Sequence, residues 1–239
     1  MRIVVSFLLV AAFSSDQVIG WRVNVKEDLE VAEKWVNESK IKLVDDIKDI
    51  NRYRTNIQFI FNNKIMARQE QDVKNIRCMT NLLLEEIRTL VHDAREKHKD
   101  PTKCYMSSQA TTRIISNNGY FLLDKCTKNA KAFIGKFQAI IDNVITIGQT
   151  LTEDLDHTFP DCYNHNPKIM LRCVNRKVKE HEASIKNFES SIISMKTTGD
   201  TAFHQGYLKG IECYNNAVIK TREGVRNTLA EAEYCINNS

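Results

Sequence analysis

Seven cysteines are the residues of this sequence best suited to covalent chemistry. They lie far apart, at Cys78, Cys104, Cys126, Cys162, Cys173, Cys213 and Cys235. Cysteines pair into disulfides in an oxidising compartment, whereas in a reducing compartment they more often bind metals or act in catalysis. The compartment therefore decides which chemistry these residues perform.

The first twenty residues predict that compartment. Arg2 provides a positive charge, and residues 3–13 form an apolar stretch shorter than the ~18 residues that a membrane span needs. Val18 and Gly20 are small residues suited to a cleavage site. We expect a signal peptide at residues 1–20, a secreted, extracellular chain and no transmembrane segment. Because seven is odd, at least one cysteine should be free or should join a partner, for example in a disulfide-linked or coiled-coil homodimer.

A second polar group lies in the stretch 156–167. It contains Asp156, His157, Asp161, Cys162 and His165. These residue types can bind zinc, but a zinc site would need Cys162 as a free thiolate, and secretion favours a disulfide. We therefore predict a connecting loop with one disulfide cysteine, and no metal.

His181 is the one histidine that we place on an apolar helix face, between Glu180 and Glu182. We interpret it as a core histidine with a hydrogen-bond partner, whose titration at low pH loosens the fold. The sequence has no serine-hydrolase elbow, no glycine-rich phosphate loop and no paired histidines at zinc-protease spacing. We expect no catalytic residue, no cofactor and no enzymatic activity.

Helices must position all of these residues. Apolar residues recur at spacings of three, four and seven, no segment alternates like a strand, and the chain has only eight glycines and three prolines. Asp100-Pro101 and Asn166-Pro167 are typical helix starts. We predict four helices, at 24–98, 102–156, 168–196 and 201–237.

The connections between these helices define the fold class. A turn is expected at residues 197–200, and a bend or break near Asn62 and near residues 116–119. We predict an all-α fold, an elongated antiparallel helical bundle of coiled-coil-like hairpins linked by disulfides. A single extended coiled coil is the alternative. The domains are a signal peptide at 1–20, an N-terminal helical segment at 21–72 and a disulfide-linked bundle at 73–239.

Positions along the first predicted hairpin suggest one disulfide. Cys78 precedes Pro101 by nearly the same number of positions as Cys126 follows it, so both should lie at the same height on neighbouring helices. We predict a bridge between them, although Cys78 lies nearly opposite the apolar face of its helix.

The second predicted hairpin leaves two pairings open. Cys162 and Cys235 lie almost equally far from Gly199, on either side of it, which favours a bridge between them by height. A weak internal repeat at an offset of 109 favours Cys173 with Cys235 instead. The repeat aligns two pairs of cysteines, Cys104 with Cys213 and Cys126 with Cys235.

Charge and surface motifs limit the classes of partner. The formal net charge is +4, and the basic residues are interleaved with acidic ones, so we expect no nucleic-acid binding. Asn37 begins one glycosylation motif and Asn237 begins another, and we expect a glycan at Asn37. We predict a non-enzymatic binding or interaction protein of unknown partner. The alternative is a carrier of small apolar ligands, such as lipids, in the bundle core.

Widely spaced cysteines within long helices also carry a family resemblance. An exported chain of this length with Cys78, Cys104, Cys126, Cys213 and Cys235 in such helices resembles the secreted insect family named after the tsetse midgut EP protein. The resemblance covers most of residues 73–235, and the chain has no acidic-proline repeat tail. It implies an extracellular insect protein of gut, haemolymph or secretory tissue. The family has no established catalytic residues to transfer.

Overall fold

The computed structural model describes residues 24–239, which form three long helices and one short one. The helices are α1 (Val25–Glu96), α2 (Thr102–Asp156), α3 (Thr158–Cys162) and α4 (Pro167–Asn237). At 1.5 Å per residue, α1 alone is about 108 Å long. These described residues contain no strand, so the predicted all-α, elongated bundle is confirmed. The predicted signal peptide lies outside the described residues.

The two longest helices, α1 and α4, run parallel, and α2 runs antiparallel to both. Three polar contacts between α1 and α4 join residues that are 147 positions apart: Lys42 with Glu189, Tyr53 with Asp200, and Arg68 with Asn215. Because 147 is a multiple of seven, the heptad register is maintained along this pair of helices.

The core consists of successive clusters along the bundle, and each of the three larger clusters draws on all three long helices. The cluster nearest the start of α1 includes Leu43, Ile141 and Phe188, and the middle cluster includes Phe61, Leu123 and Tyr214. The cluster nearest the connection between α1 and α2 includes Ile87, Cys104 and Ile236. The middle cluster contains residues on both sides of position 72, across which α1 continues without interruption. None of the helices within residues 24–239 is both long enough and apolar enough to cross a membrane.

The predicted turn at residues 197–200 is wrong, because α4 is one continuous helix. Gly199 is buried inside this helix, where a Cβ atom would lie 2.5 Å from Cζ of Phe137. The glycine thus allows close approach of the helices rather than a change of direction. A bend or break was expected near Asn62 and residues 116–119, and a break is excluded because α1 and α2 are helical throughout those positions.

The predicted helix start at Asn166-Pro167 is confirmed. The side-chain oxygen of Asn166 accepts a hydrogen bond from the backbone N–H of Lys168 at 3.0 Å, and Pro167 occupies the first turn. At the other end of the bundle, residues 97–101 connect α1 to α2, and His98 has a positive φ of 62°. This short connection and the antiparallel packing place α2 directly beside α1.

Candidate functional site

Three disulfides link the helices, and their pairing differs from the sequence-based prediction. Cys104 pairs with Cys235 and Cys126 pairs with Cys213, so both of these bridges join α2 to α4. Cys162 pairs with Cys173 and joins α3 to the start of α4. The predicted bridge between Cys78 and Cys126 is therefore wrong, as are both alternatives considered for Cys235.

The pairing follows from the geometry of two antiparallel helices. The spacing from Cys104 to Cys126 on α2 equals the spacing from Cys213 to Cys235 on α4. Equal spacing on antiparallel helices allows both bridges to form at once, each between residues at the same height. The internal repeat at an offset of 109 arises because the two cysteines on α2 have the same spacing as the two on α4. It does not mean that each half of the repeat contains the same disulfide. Cys78 is exposed and free, in agreement with its position opposite the apolar face.

The polar stretch 156–167 offers no free thiolate that could bind a metal. Cys162 is held in a disulfide, and the carboxylate of Asp161 accepts a hydrogen bond from Lys177 Nζ at 2.5 Å, which lowers the pKa of Asp161. His157 and His165 are exposed. The predicted connecting loop with one disulfide cysteine is confirmed, with a single short helix, α3, inside it.

His181 is a half-buried histidine with a hydrogen-bond partner, as the sequence predicted. Its Nε2 lies 3.0 Å from Oγ1 of the buried Thr158. Burial of the ring disfavours the imidazolium and lowers the pKa of His181, although the nearby carboxylates of Asp154 and Glu180 act in the opposite direction. Asn37 is exposed on α1, and its glycosylation stays a prediction.

The candidate site is a surface groove between α2 and α4, which we call the α2–α4 groove. Its volume is about 340 Å³, and the disulfide between Cys126 and Cys213 lies in its lining together with Leu122 and Ala217. Six polar residues complete the lining: Lys125, Asn129, Lys209, Glu212, Asn216 and Lys220. Buried apolar groups and exposed polar groups thus meet in one concave surface.

The charges of the α2–α4 groove are unbalanced. Its three lysines form no ion pair with any carboxylate among residues 24–239, whereas neighbouring Lys128 pairs with Asp124 at 2.6 Å. The ammonium of Lys209 lies 4.9 Å from the centre of the Phe133 ring. Because Glu212 is the one acidic residue of the lining, the groove has a formal charge of +2. Such a surface attracts anions.

Polar contacts around the buried Asp72 and Tyr214 attach α4 to α1 and to α2. The carboxylate of Asp72, only 1% exposed, accepts from Nε of Arg68 at 2.6 Å, and Nη2 of Arg68 donates to Asn215 at 2.6 Å. The hydroxyls of Tyr214 and Thr127 are 2.7 Å apart, and burial raises the pKa of Tyr214. These contacts hold α4 against both of the other long helices.

Sequence reasoning singled out Cys126 and Cys213 as disulfide cysteines but did not find the three lysines that line the α2–α4 groove with them. Its lysines lie on two helices that are distant in the sequence, and each taken alone resembles an ordinary exposed lysine.

Comparisons of the chain with protein-family models, with curated proteins and with solved structures found no match. The resemblance to the tsetse EP family stays a prediction, and function is argued from the groove itself.

Proposed function

We propose that this chain is a secreted, non-enzymatic binding protein that holds an anionic ligand in the α2–α4 groove. The single observation that carries the proposal is the set of three lysines, Lys125, Lys209 and Lys220, which line one groove without carboxylate partners. Lysines on a solvated helix face commonly pair with acidic residues three or four positions away, as Lys74 does with Glu70. Unpaired lysines that share a concave surface can instead neutralise a ligand.

The disulfides are consistent with the proposed extracellular compartment, and they also make the α2–α4 groove rigid. Disulfides of this kind form and persist in oxidising environments, which agrees with the expected signal peptide. The bridge between Cys126 and Cys213 holds the two walls of the groove together, with Cα atoms 5.6 Å apart. A preformed site loses less entropy when it binds a ligand, so this rigidity favours binding. Insect gut, haemolymph or secretory fluid is the setting that the family resemblance implies.

A groove on the surface is a better binding site than the bundle core. Phe61, Phe188 and Tyr214 are fully buried and fill the layers between the helices. An apolar ligand inside the core would have to displace such side chains or separate α1 from the other two helices. We therefore propose the α2–α4 groove, rather than the core, as the place where a carrier function would reside.

Fluorescence of the amphipathic anion anilinonaphthalene sulfonate tests the proposed function. We expect one saturable site per molecule, with binding about tenfold weaker in the K125Q/K209Q/K220Q variant because three attractive charges are lost. The control variant K136Q/K168Q/K179Q changes the net charge equally at lysines outside the groove and should bind as the wild type does. Equal binding by the wild type and both variants would contradict the proposal.

A further inference from the structure

Building on the proposed function, we infer that the α2–α4 groove binds a fatty carboxylate of medium chain length. Such a ligand has an unbranched apolar tail and one negative charge at its end. The inference names the chemical class of ligand, and it depends on three properties of the groove: its apolar lining, the distribution of its charges, and its length.

The apolar lining requires a ligand with an apolar part. Leu122 and Ala217 flank the disulfide between Cys126 and Cys213, and none of these groups can form strong hydrogen bonds with a ligand. Lysine side chains add methylene stems that can lie along an apolar chain while their ammonium groups stay in water. A wholly polar anion, such as a sulfated sugar, would leave this apolar surface without a partner.

The distribution of charge favours a ligand with a single negative charge. Glu212 lies in the same lining as the three lysines and repels any ligand that carries negative charges along its whole length. An acidic peptide would place carboxylates against Glu212, whereas a fatty carboxylate can direct its one charge toward a lysine. The amide groups of Asn129 and Asn216 can donate further hydrogen bonds to a carboxylate.

The dimensions of the groove favour a chain-shaped ligand. Lys209 and Lys220 lie about three helical turns apart on α4, which corresponds to roughly 16 Å along the helix axis. A volume of about 340 Å³ is at the lower end of the range for small-molecule sites. A narrow ligand that lies along the two antiparallel helices fits such a site better than a broad ring system does.

Isothermal titration with four probes tests the inference: dodecanoate, dodecanol, dodecyltrimethylammonium and acetate. The two charged amphiphiles are kept below their micelle concentrations, and dodecanol is kept below its solubility limit. We expect dodecanoate to bind one-to-one and the other three at least tenfold more weakly. Shortening the chain to decanoate should weaken binding two- to fourfold per methylene, because each buried methylene contributes hydrophobic free energy. Equal binding of dodecanol, or of acetate, would overturn the inference.

Two variants with opposite expected effects exclude a general loss of folding as the explanation. K125Q/K209Q/K220Q should weaken dodecanoate binding about tenfold, and Glu212→Gln should strengthen it about threefold because a repulsive charge is removed. If anilinonaphthalene sulfonate binds in the groove and dodecanoate does not, the ligand class is wrong and the proposed function survives. If neither probe binds there, both are wrong.

Discussion

The disulfide between Cys126 on α2 and Cys213 on α4 lies in the lining of the α2–α4 groove, with the two Cα atoms 5.6 Å apart. Together with the bridge between Cys104 and Cys235, it makes α2 and α4 one covalently linked pair of helices. No disulfide within the described residues reaches α1, which is held by core packing and polar contacts. The groove therefore lies on the most constrained face of the bundle.

Removal of this disulfide should affect stability and binding together. We expect the Cys126→Ala/Cys213→Ala variant to lose about 2–5 kcal/mol of unfolding free energy and also to bind anilinonaphthalene sulfonate more weakly, because the walls of the groove are no longer linked. The matched control is Cys162→Ala/Cys173→Ala, which removes a bridge with a sequence separation of only 11, far from the groove. Urea unfolding and probe fluorescence measure the two effects, and unchanged binding in the first variant would contradict the role given to the disulfide.

Gly199 should be required for helix packing. We expect Gly199→Ala to destabilise the protein by about 1–3 kcal/mol, because the added Cβ would lie 2.5 Å from the buried ring of Phe137. Gly135→Ala is the control, since nothing lies within 4 Å of a Cβ there. That control should stabilise the protein by about 0.5–1 kcal/mol through helix propensity. A stabilising Gly199→Ala substitution, measured by urea unfolding, would contradict the close packing of Gly199 against Phe137.

The contrast between these two glycines shows where sequence reasoning is sufficient and where it is not. The bounds of α1 and α2 follow the apolar periodicity and the proline positions, and they agree with the predicted 24–98 and 102–156 to within two residues. Glycine commonly marks a turn, which is why the sequence predicts one at Gly199. Its actual role depends on Phe137 and Tyr53, which lie on other helices, and no local pattern reports that contact.

Predicting the disulfide pairing and the groove residues requires the same long-range information, namely how α2 and α4 pack against each other. Once α4 is divided at Gly199, Cys213 and Cys235 belong to the wrong hairpin, and height comparisons give the wrong partners. The equal cysteine spacing in both helices is visible in the sequence, and it becomes decisive only when α2 and α4 are known to be antiparallel. Lys125 and Lys220 are similarly indistinguishable from solvated lysines until folding places them in one groove.

His181 should make stability depend on pH. Its pKa in the folded state is lowered below the ordinary 6.5, so the unfolded chain takes up a proton at a higher pH than the folded chain does. The contribution of His181 to stability is therefore fully present above about pH 6.5 and is lost as the pH falls through the folded-state pKa. We expect His181→Gln, which cannot titrate, to lose less stability between about pH 7.5 and pH 5 than the wild type in urea unfolding. Identical pH profiles would show that His181 has no such role.

Cys78 should be the one reactive thiol of the folded chain. It is exposed and free, whereas the other six cysteines are paired. Without reductant, we expect a maleimide reagent to add once per molecule, at Cys78, and not to add to the Cys78→Ser variant. Peptide mass spectrometry locates the label, and a label on Cys126 or Cys213 would contradict the pairing on which the groove depends. Any disulfide-linked homodimer of the wild type should also disappear in the Cys78→Ser variant.

The central claim is that the α2–α4 groove is the binding site, and backbone NMR of the secreted protein titrated with dodecanoate tests it most directly. We expect the largest amide shifts at groove residues on both helices, such as Leu122, Asn129 and Asn216, and little change at the outer face of α1 around Phe59. In the K125Q/K209Q/K220Q variant the same shifts should need about tenfold more dodecanoate to reach half their final size. Shifts confined to α1, or spread through all three core clusters, would place the ligand elsewhere and contradict the claim.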